Sequence, residues 1–143
     1  PFLGRRDKLP KTKALAANAH NLADNEIIHL LSVGGGLIFS AGHENRFRLN
    51  TPFIGACARE LVKNGHADYT PVYLSELPRL IRNGDIPIDV ALIQVSPPDG
   101  RGLCSLGISV EAIRAAAESA RCVIAQVNPR MPRTNGKTAI HVA

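Results

Sequence analysis

Gln94, Ser96 and Asp99 sit at or just past the end of an apolar run, VALIQV over Val90–Val95, and Asn128 follows a second one, CVIAQV over Cys122–Val127. Carboxamides and a hydroxyl can orient a polar ligand. Side chains at the carboxyl ends of strands can converge on one, because open α/β sheets bind ligands in the crevice beyond those ends. Pro97 and Pro98 fix the intervening backbone and withdraw two donors, while Gly100 and Gly102 permit turns that other residues resist. Any chemistry the chain takes part in is therefore expected around residues 96–109. An ordinary strand-to-helix connection that merely packs has the same composition, and these residues alone do not choose between the two.

The other reactive residue types offer less. Cys57, Cys104 and Cys122 are widely spaced and include no C-x-x-C pair of the kind a metal site uses. Cys57 and Cys122 stand within apolar segments and read as small buried thiols in a reducing compartment. Cys104 follows the glycine-rich loop, but a thiol nucleophile needs a neighbouring base and no histidine is near it in sequence. His29 lies inside the apolar run IIHLLSV, where a hydrogen-bonded core residue is the expectation. Gly34, Gly35 and Gly36 follow that run; with no helical period and no lysine-serine ending after them, they read as a flexible turn rather than a phosphate loop. The six glutamates, Glu26, Glu44, Glu60, Glu76, Glu111 and Glu118, mostly fall at helix starts, on helix faces or in a polar loop, the usual places of solvated carboxylates.

At 143 residues the chain suits one domain over residues 1–143, long enough to bury a real core. Its 45% apolar and 20% charged residues are ordinary for a soluble globular protein, and no segment has the apolar length of a membrane span. The net charge of +5 is scattered, with Arg5, Arg6, Lys8, Lys11 and Lys13 the one cluster, and aromatics make up 4%. Stacking aromatics interleaved with basic residues are missing, so no nucleic-acid partner is expected. The start lacks the apolar core and cleavage site of a signal peptide, which points to the cytoplasm, or to the mitochondrial matrix in a eukaryote. Beginning at Pro1 without a methionine and stopping on the apolar IHVA, the sequence reads as a piece of a longer polypeptide.

The elements that would position Gln94 and Asn128 follow from periodicity. Leu15, Ala19 and Leu22 predict a short amphipathic helix over residues 11–22, and the continuous apolar run over residues 27–33 predicts a buried strand. A helix is expected from Thr51 or Asn50 as cap, with Pro52 in its first position, to Gly65 after Asn64. Residues 69–74 form a β-rich run that Pro71 restricts to an edge or irregular strand. Ser75 then caps a second helix that Gly84 stops. After the strand Val90–Val95 and its loop, Ser109 is the expected cap of a helix over residues 110–120, with Glu111 in its first turn, and Cys122–Val127 is expected as another buried strand. Strands alternating with helices imply an α/β fold with a mostly parallel sheet flanked by helices.

Longer stretches carry a resemblance. QVSPPDGRGLCSLGISV (residues 94–110), AQVNPRMPRTNGKTAIHV (residues 125–142), RFRLNTPFIG (residues 46–55) and the run over residues 67–99 together are similar, in order, to the amino-terminal half of the acetyl-CoA hydrolase/transferase family, which includes acetate and hydroxybutyrate CoA-transferases. The resemblance implies one of two tandem CoA-transferase-like domains, with the active site between them. In the family a glutamate attacks the acyl-CoA thioester to give a mixed anhydride, and CoA thiolate then converts the enzyme to a glutamyl-CoA that a carboxylate or water resolves. That glutamate and most of the CoA-binding surface belong to the second domain. The family's opening strand would likewise precede Pro1. The family commonly has an acidic residue where Gln126 stands.

By this resemblance the chain contains no catalytic residue of its own and is inactive alone. Gln94, Ser96, Asn128 and the loop of residues 131–136, including Met131 and Gly136, would wall the acyl pocket. Implied partners are acyl-CoA and small carboxylate substrates, the second domain of the same polypeptide, and further copies of the full-length protein in a homo-oligomer. Coenzyme A enters as co-substrate, and no covalently bound cofactor or metal is expected. The competing expectation is a non-catalytic remnant or interaction module with the same fold.

Overall fold

The computed structural model describes residues 10–30 and 46–141. They belong to two compact units, one ending at Val72 and the other starting at Tyr73.

The first unit opens with α1 (Pro10–Ala17) and a 3-10 turn over Ala19–Asn21, where sequence predicts one continuous helix. The break falls at Asn18, whose side-chain amide donates to the Ala14 carbonyl at 2.8 Å, a local bond that competes with helix continuation. The apolar positions still share a core: Ala19 and Phe47 are buried, with Leu15, Leu22 and Ile27 packed around them. β1 (Asn25–Ile28) begins two residues ahead of the predicted run. The triplet Gly34, Gly35 and Gly36 lies outside the described residues.

β2 (Phe47–Thr51) is a strand not expected from the sequence reading, although Phe47, Leu49 and Thr51 are buried and Arg48 between them is exposed, the two-residue period of a half-buried strand. It pairs in parallel with β1 on one side and with β3 (Ala67–Tyr69) on the other. This corrects the expected role of Thr51. Rather than capping a helix, Thr51 ends β2 fully buried, its hydroxyl 2.9 Å from the His29 carbonyl and 2.6 Å from the Phe53 carbonyl. Consequently α2 (Ala56–Lys63) starts later, from Gly55, and Pro52 precedes it. Its far end closes through Asn64 and Gly65, the latter at φ +74°, as predicted. β3 stops two residues short of Pro71, which has no N–H to donate to a ladder.

In the second unit, α3 (Leu77–Asn83) carries Pro78 in its first turn and ends on Gly84 at φ +83°; Glu76 rather than Ser75 occupies the capping position. β4 (Val90–Val95) has its predicted bounds and pairs in parallel with β6 (Cys122–Val127) along its whole length. A short β5 (Leu103–Ser105) follows directly after Gly102 and pairs antiparallel with β7 (Ala139–His141). Between them α4 (Ile113–Ser119) starts from Ala112, so Ser109 is not its cap: the Ser109 amide instead donates to the Leu106 carbonyl at 3.0 Å in a preceding turn. Ser75 stands two residues ahead of α3 and Ser109 four ahead of α4; the apolar residues Leu77 and Ala112, each wholly buried, lie where the helices begin.

One face of β4 (Ala91, Ile93, Val95) is buried with Cys104 and Leu106 beneath Ile113, Ala116, Ala117 and Ala120, and α3 packs on α4. Cys104 is therefore a core thiol. β6 corrects an expectation: Val123, Ile124 and Val127 are 40%, 51% and 49% exposed, and Cys122 is exposed too. The strand pairs with β4 on one edge only, and of its six residues Gln126 alone is half-buried while the other five are exposed. The architecture is α/β with mostly parallel sheets, the β5–β7 pair being the antiparallel exception. Among the described residues no helix is long and apolar enough to cross a membrane.

Candidate functional site

Parallel pairing in register brings the carboxyl ends of β4 and β6 together, with Gln94 opposite Gln126 and Val95 opposite Val127. The ladder continues one step further, because the Asn128 amide donates to the Val95 carbonyl at 2.8 Å. Residues two apart on a strand share a face, so Gln126 and Asn128 lie on the same side as Gln94. Asn128 Nδ2 is 3.4 Å from Gln94 Oε1, a long contact that leaves both amides with hydrogen-bonding capacity. Asn128 Oδ1 accepts the Arg130 amide at 3.0 Å, which fixes the direction in which the loop leaves β6.

Ser96, one residue beyond β4, is turned inward. It is 0% exposed, and its hydroxyl donates to the Pro97 carbonyl at 3.0 Å while accepting the Ser105 amide at 2.9 Å and an Arg133 N–H at 3.3 Å. The Ser96 amide in turn donates to the Ser105 carbonyl at 2.8 Å, so the loop is clasped at its base. At its tip Asp99 Oδ1 accepts the amides of Arg101 (2.9 Å) and Leu103 (3.0 Å). The Leu103 and Arg101 N–H groups, followed by the Arg133 and Arg101 guanidinium charges, hold the Asp99 carboxyl below the usual carboxylate range.

The loop after β6 is fastened onto this one. Met131, 7% exposed, lies against Gly107, and Thr134 donates from its amide to Ser105 Oγ at 3.2 Å and from its hydroxyl to the Gly107 carbonyl at 3.1 Å. Arg133 reaches Asp99, Pro97, Leu103 and Ser96 through its two terminal nitrogens. Gly136 is exposed at φ +90° with open space where a Cβ would be, so its glycine serves backbone conformation. Of the five residues expected from sequence at this site, Gln94 and Asn128 meet; Ser96 and Met131 are sealed beneath the loops, and Gly136 is at the surface. Arg133 and Ser105, which carry most of the fastening, are not singled out by any local pattern, because their partners are about thirty or nine residues away.

Elsewhere the chemistry is sparse. An open cleft of about 500 Å³ lies in the first unit, where Arg46, Arg48, His66 and Asp68 line the amino-terminal ends of β2 and β3. That is the opposite end of the strands from where ligands bind in open α/β sheets, and Arg48 there is engaged by Asp68 at 2.6 Å. Burial lowers the proton affinity of His29 below its ordinary value. Among the described residues there is no group of three or more His, Cys, Asp or Glu that could hold a metal ion.

With the two strand ends and their loops placed, the relatives decide the family. The sequence profile of the acetyl-CoA hydrolase/transferase N-terminal domain matches residues 12–143. The chain belongs to this family. It is 47% identical over 130 residues to the 4-hydroxybutyrate coenzyme A transferase of Clostridium kluyveri, an alignment covering 91% of this chain and 30% of that one. It is 43% identical over 121 residues to the succinyl-CoA:acetate/propanoyl-CoA:succinate CoA transferase of Fasciola hepatica, covering 85% and 25%. Among solved structures of the family's fold, RipA from Yersinia pestis superposes with a TM-score of 0.83 at 32% identity, over 91% of this chain and 33% of that one. A 4-hydroxybutyrate CoA-transferase from Porphyromonas gingivalis gives 0.63 at 27% identity, over 91% and 35%. The chain thus spans about a third or less of the length of these relatives.

Proposed function

We propose that this chain is the amino-terminal, acyl-pocket half of an acyl-CoA:carboxylate CoA-transferase or acetyl-CoA hydrolase. The observation that carries the reading is the family match over residues 12–143, joined to relatives named as CoA-transferases. Gln94 and Asn128 present carboxamides at the strand ends, and with Ser96, Met131 and Gly136 of the adjoining loops they line the acyl pocket opposite a glutamate on a second domain.

In the proposed cycle that glutamate attacks the thioester carbonyl, the C–S bond breaks, CoA leaves as thiolate and a mixed anhydride remains. Thiolate then attacks the glutamyl carbonyl, releasing the first carboxylate and leaving glutamyl-CoA, which an acceptor carboxylate or water resolves. Neutral amide donors suit this sequence, because they can hold a carboxylate or a developing oxyanion without forming a permanent ion pair with it.

The test is exchange of labelled acetate into acetyl-CoA. The full-length polypeptide exchanges label, and the 143-residue chain by itself does not. Absence of exchange in the full-length protein, across small carboxylates and their thioesters, overturns the catalytic reading and leaves a non-catalytic module with the family's fold.

A further inference from the structure

One guanidinium joins the two loops of the site. Arg133 stands five residues past Asn128, on the loop leaving β6, and all of its acceptors belong to the segment leaving β4. One terminal nitrogen lies 3.1 Å from the Pro97 carbonyl, 3.1 Å from the Leu103 carbonyl and 3.3 Å from Ser96 Oγ. Its two hydrogens are shared among these three oxygens, while the other terminal nitrogen lies 3.1 Å from Asp99 Oδ2. A planar fork of fixed geometry can satisfy a carboxylate and backbone carbonyls at once, which an ammonium acting as a point charge cannot. The side chain is nonetheless 46% exposed, so it is not a core residue whose loss must unfold the unit.

We propose that Arg133 is a positioning residue, setting the separation of the two loops and through it the placement of the Gln94 and Asn128 carboxamides on the acyl group. The inference rests on the acyl-pocket reading above. Arg133 touches neither carboxamide. Its effect passes along the backbone of the loop it holds, whose first residue, Asn128, is already fixed to Val95 at the other end. With both ends tied, the amide of Asn128 has little freedom, and misplacement of such a group by about 1 Å can cost on the order of a hundredfold in rate.

The experiment compares Arg133→Lys, Arg133→Ala and Arg101→Ala with wild type in the full-length protein, by exchange kinetics at temperatures where circular dichroism shows each fully folded. Arg101 supplies a second cation 3.6 Å from Asp99 but is 82% exposed, so its removal controls for charge alone. Arg133→Lys lowers kcat at least tenfold while the KM for acyl-CoA stays within twofold, and Arg101→Ala leaves both near wild type. Retention of kcat within twofold by Arg133→Lys, or a loss that vanishes when activity is expressed per folded molecule, overturns the positioning role and leaves the acyl-pocket reading intact. A wild type without exchange overturns that reading, and this inference with it.

Discussion

The side chain of Met131 occupies the space into which a Cβ on Gly107 would project. An added methyl there would lie 2.6 Å from Met131 Cγ and 2.9 Å from the Pro132 carbonyl, and Gly107 already holds φ +60°. The loop after β6 is thus seated on the turn after β5 at a point where only glycine fits.

Gly107→Ala is expected to destabilise the second unit by about 2–4 kcal/mol, from left-handed backbone strain together with overpacking. Met131→Ala removes the obstructing atoms at its own cavity cost, so the double variant is less destabilised than the sum of the singles. Urea titrations of the three variants measure this coupling. Strict additivity would mean that the two residues do not touch in solution.

Ser96→Ala removes the acceptor of the buried Ser105 amide and the donor to the Pro97 carbonyl. Stranding a buried N–H costs about 1–3 kcal/mol, and that loss is expected in the denaturation midpoint with an unchanged slope. Amide exchange at Ser105 rises in parallel. A neutral effect on stability would place the hydroxyl outside the clasp.

Thr51→Val tests the first unit in the same way. The two side chains have the same shape, so the change removes only the hydroxyl donor shared by the His29 and Phe53 carbonyls. An expected loss of about 1–2 kcal/mol follows from buried carbonyls deprived of a donor. If Thr51 were a helix cap in solution, Thr51→Ser would be as stable as wild type; with Thr51 buried in β2, serine instead leaves a cavity and destabilises.

Asp99 gives the loop a direction of pH dependence. Its carboxyl titrates below the ordinary value because the folded loop supplies the Leu103 and Arg101 amides and two guanidinium groups. A depressed folded value means that the stabilisation is present at neutral pH and is lost as pH falls through that value, below the unfolded value of about 3.9. Carbon-detected NMR titration of the Asp99 carboxyl is expected to show a midpoint under that figure, with the Leu103 amide shifting alongside it. Asp99→Asn abolishes the step. A midpoint at or above the unfolded value would contradict the loop's geometry.

Local signals by themselves determined several elements in both units. The six-residue run Val90–Val95 between Asp89 and Ser96 specified a strand to the residue, and the positive-φ glycines Gly65 and Gly84 marked where α2 and α3 stop, because backbone conformation at such a position depends on one residue. The alternation in β2 was equally readable, but the Thr51-Pro52 pair imitates a helix start closely enough to hide it. The order of motifs also sufficed to suggest the family, which the match over residues 12–143 then established.

What sequence could not decide depended on what each segment meets in space. Cys122–Val127 has the composition of a buried strand, yet burial is conferred by neighbouring elements, and β6 has β4 on one edge while five of its six residues stay exposed. Ser96 and Asn128 look alike as polar residues past strand ends. The fold turns one into the loop's internal clasp and leaves the other half-exposed beside Gln94, because Ser105 and Arg133 arrive beside Ser96 from 9 and 37 residues along the chain. Residue type states which hydrogen bonds a side chain can make. The tertiary structure decides which of them are already spent and which remain for a ligand.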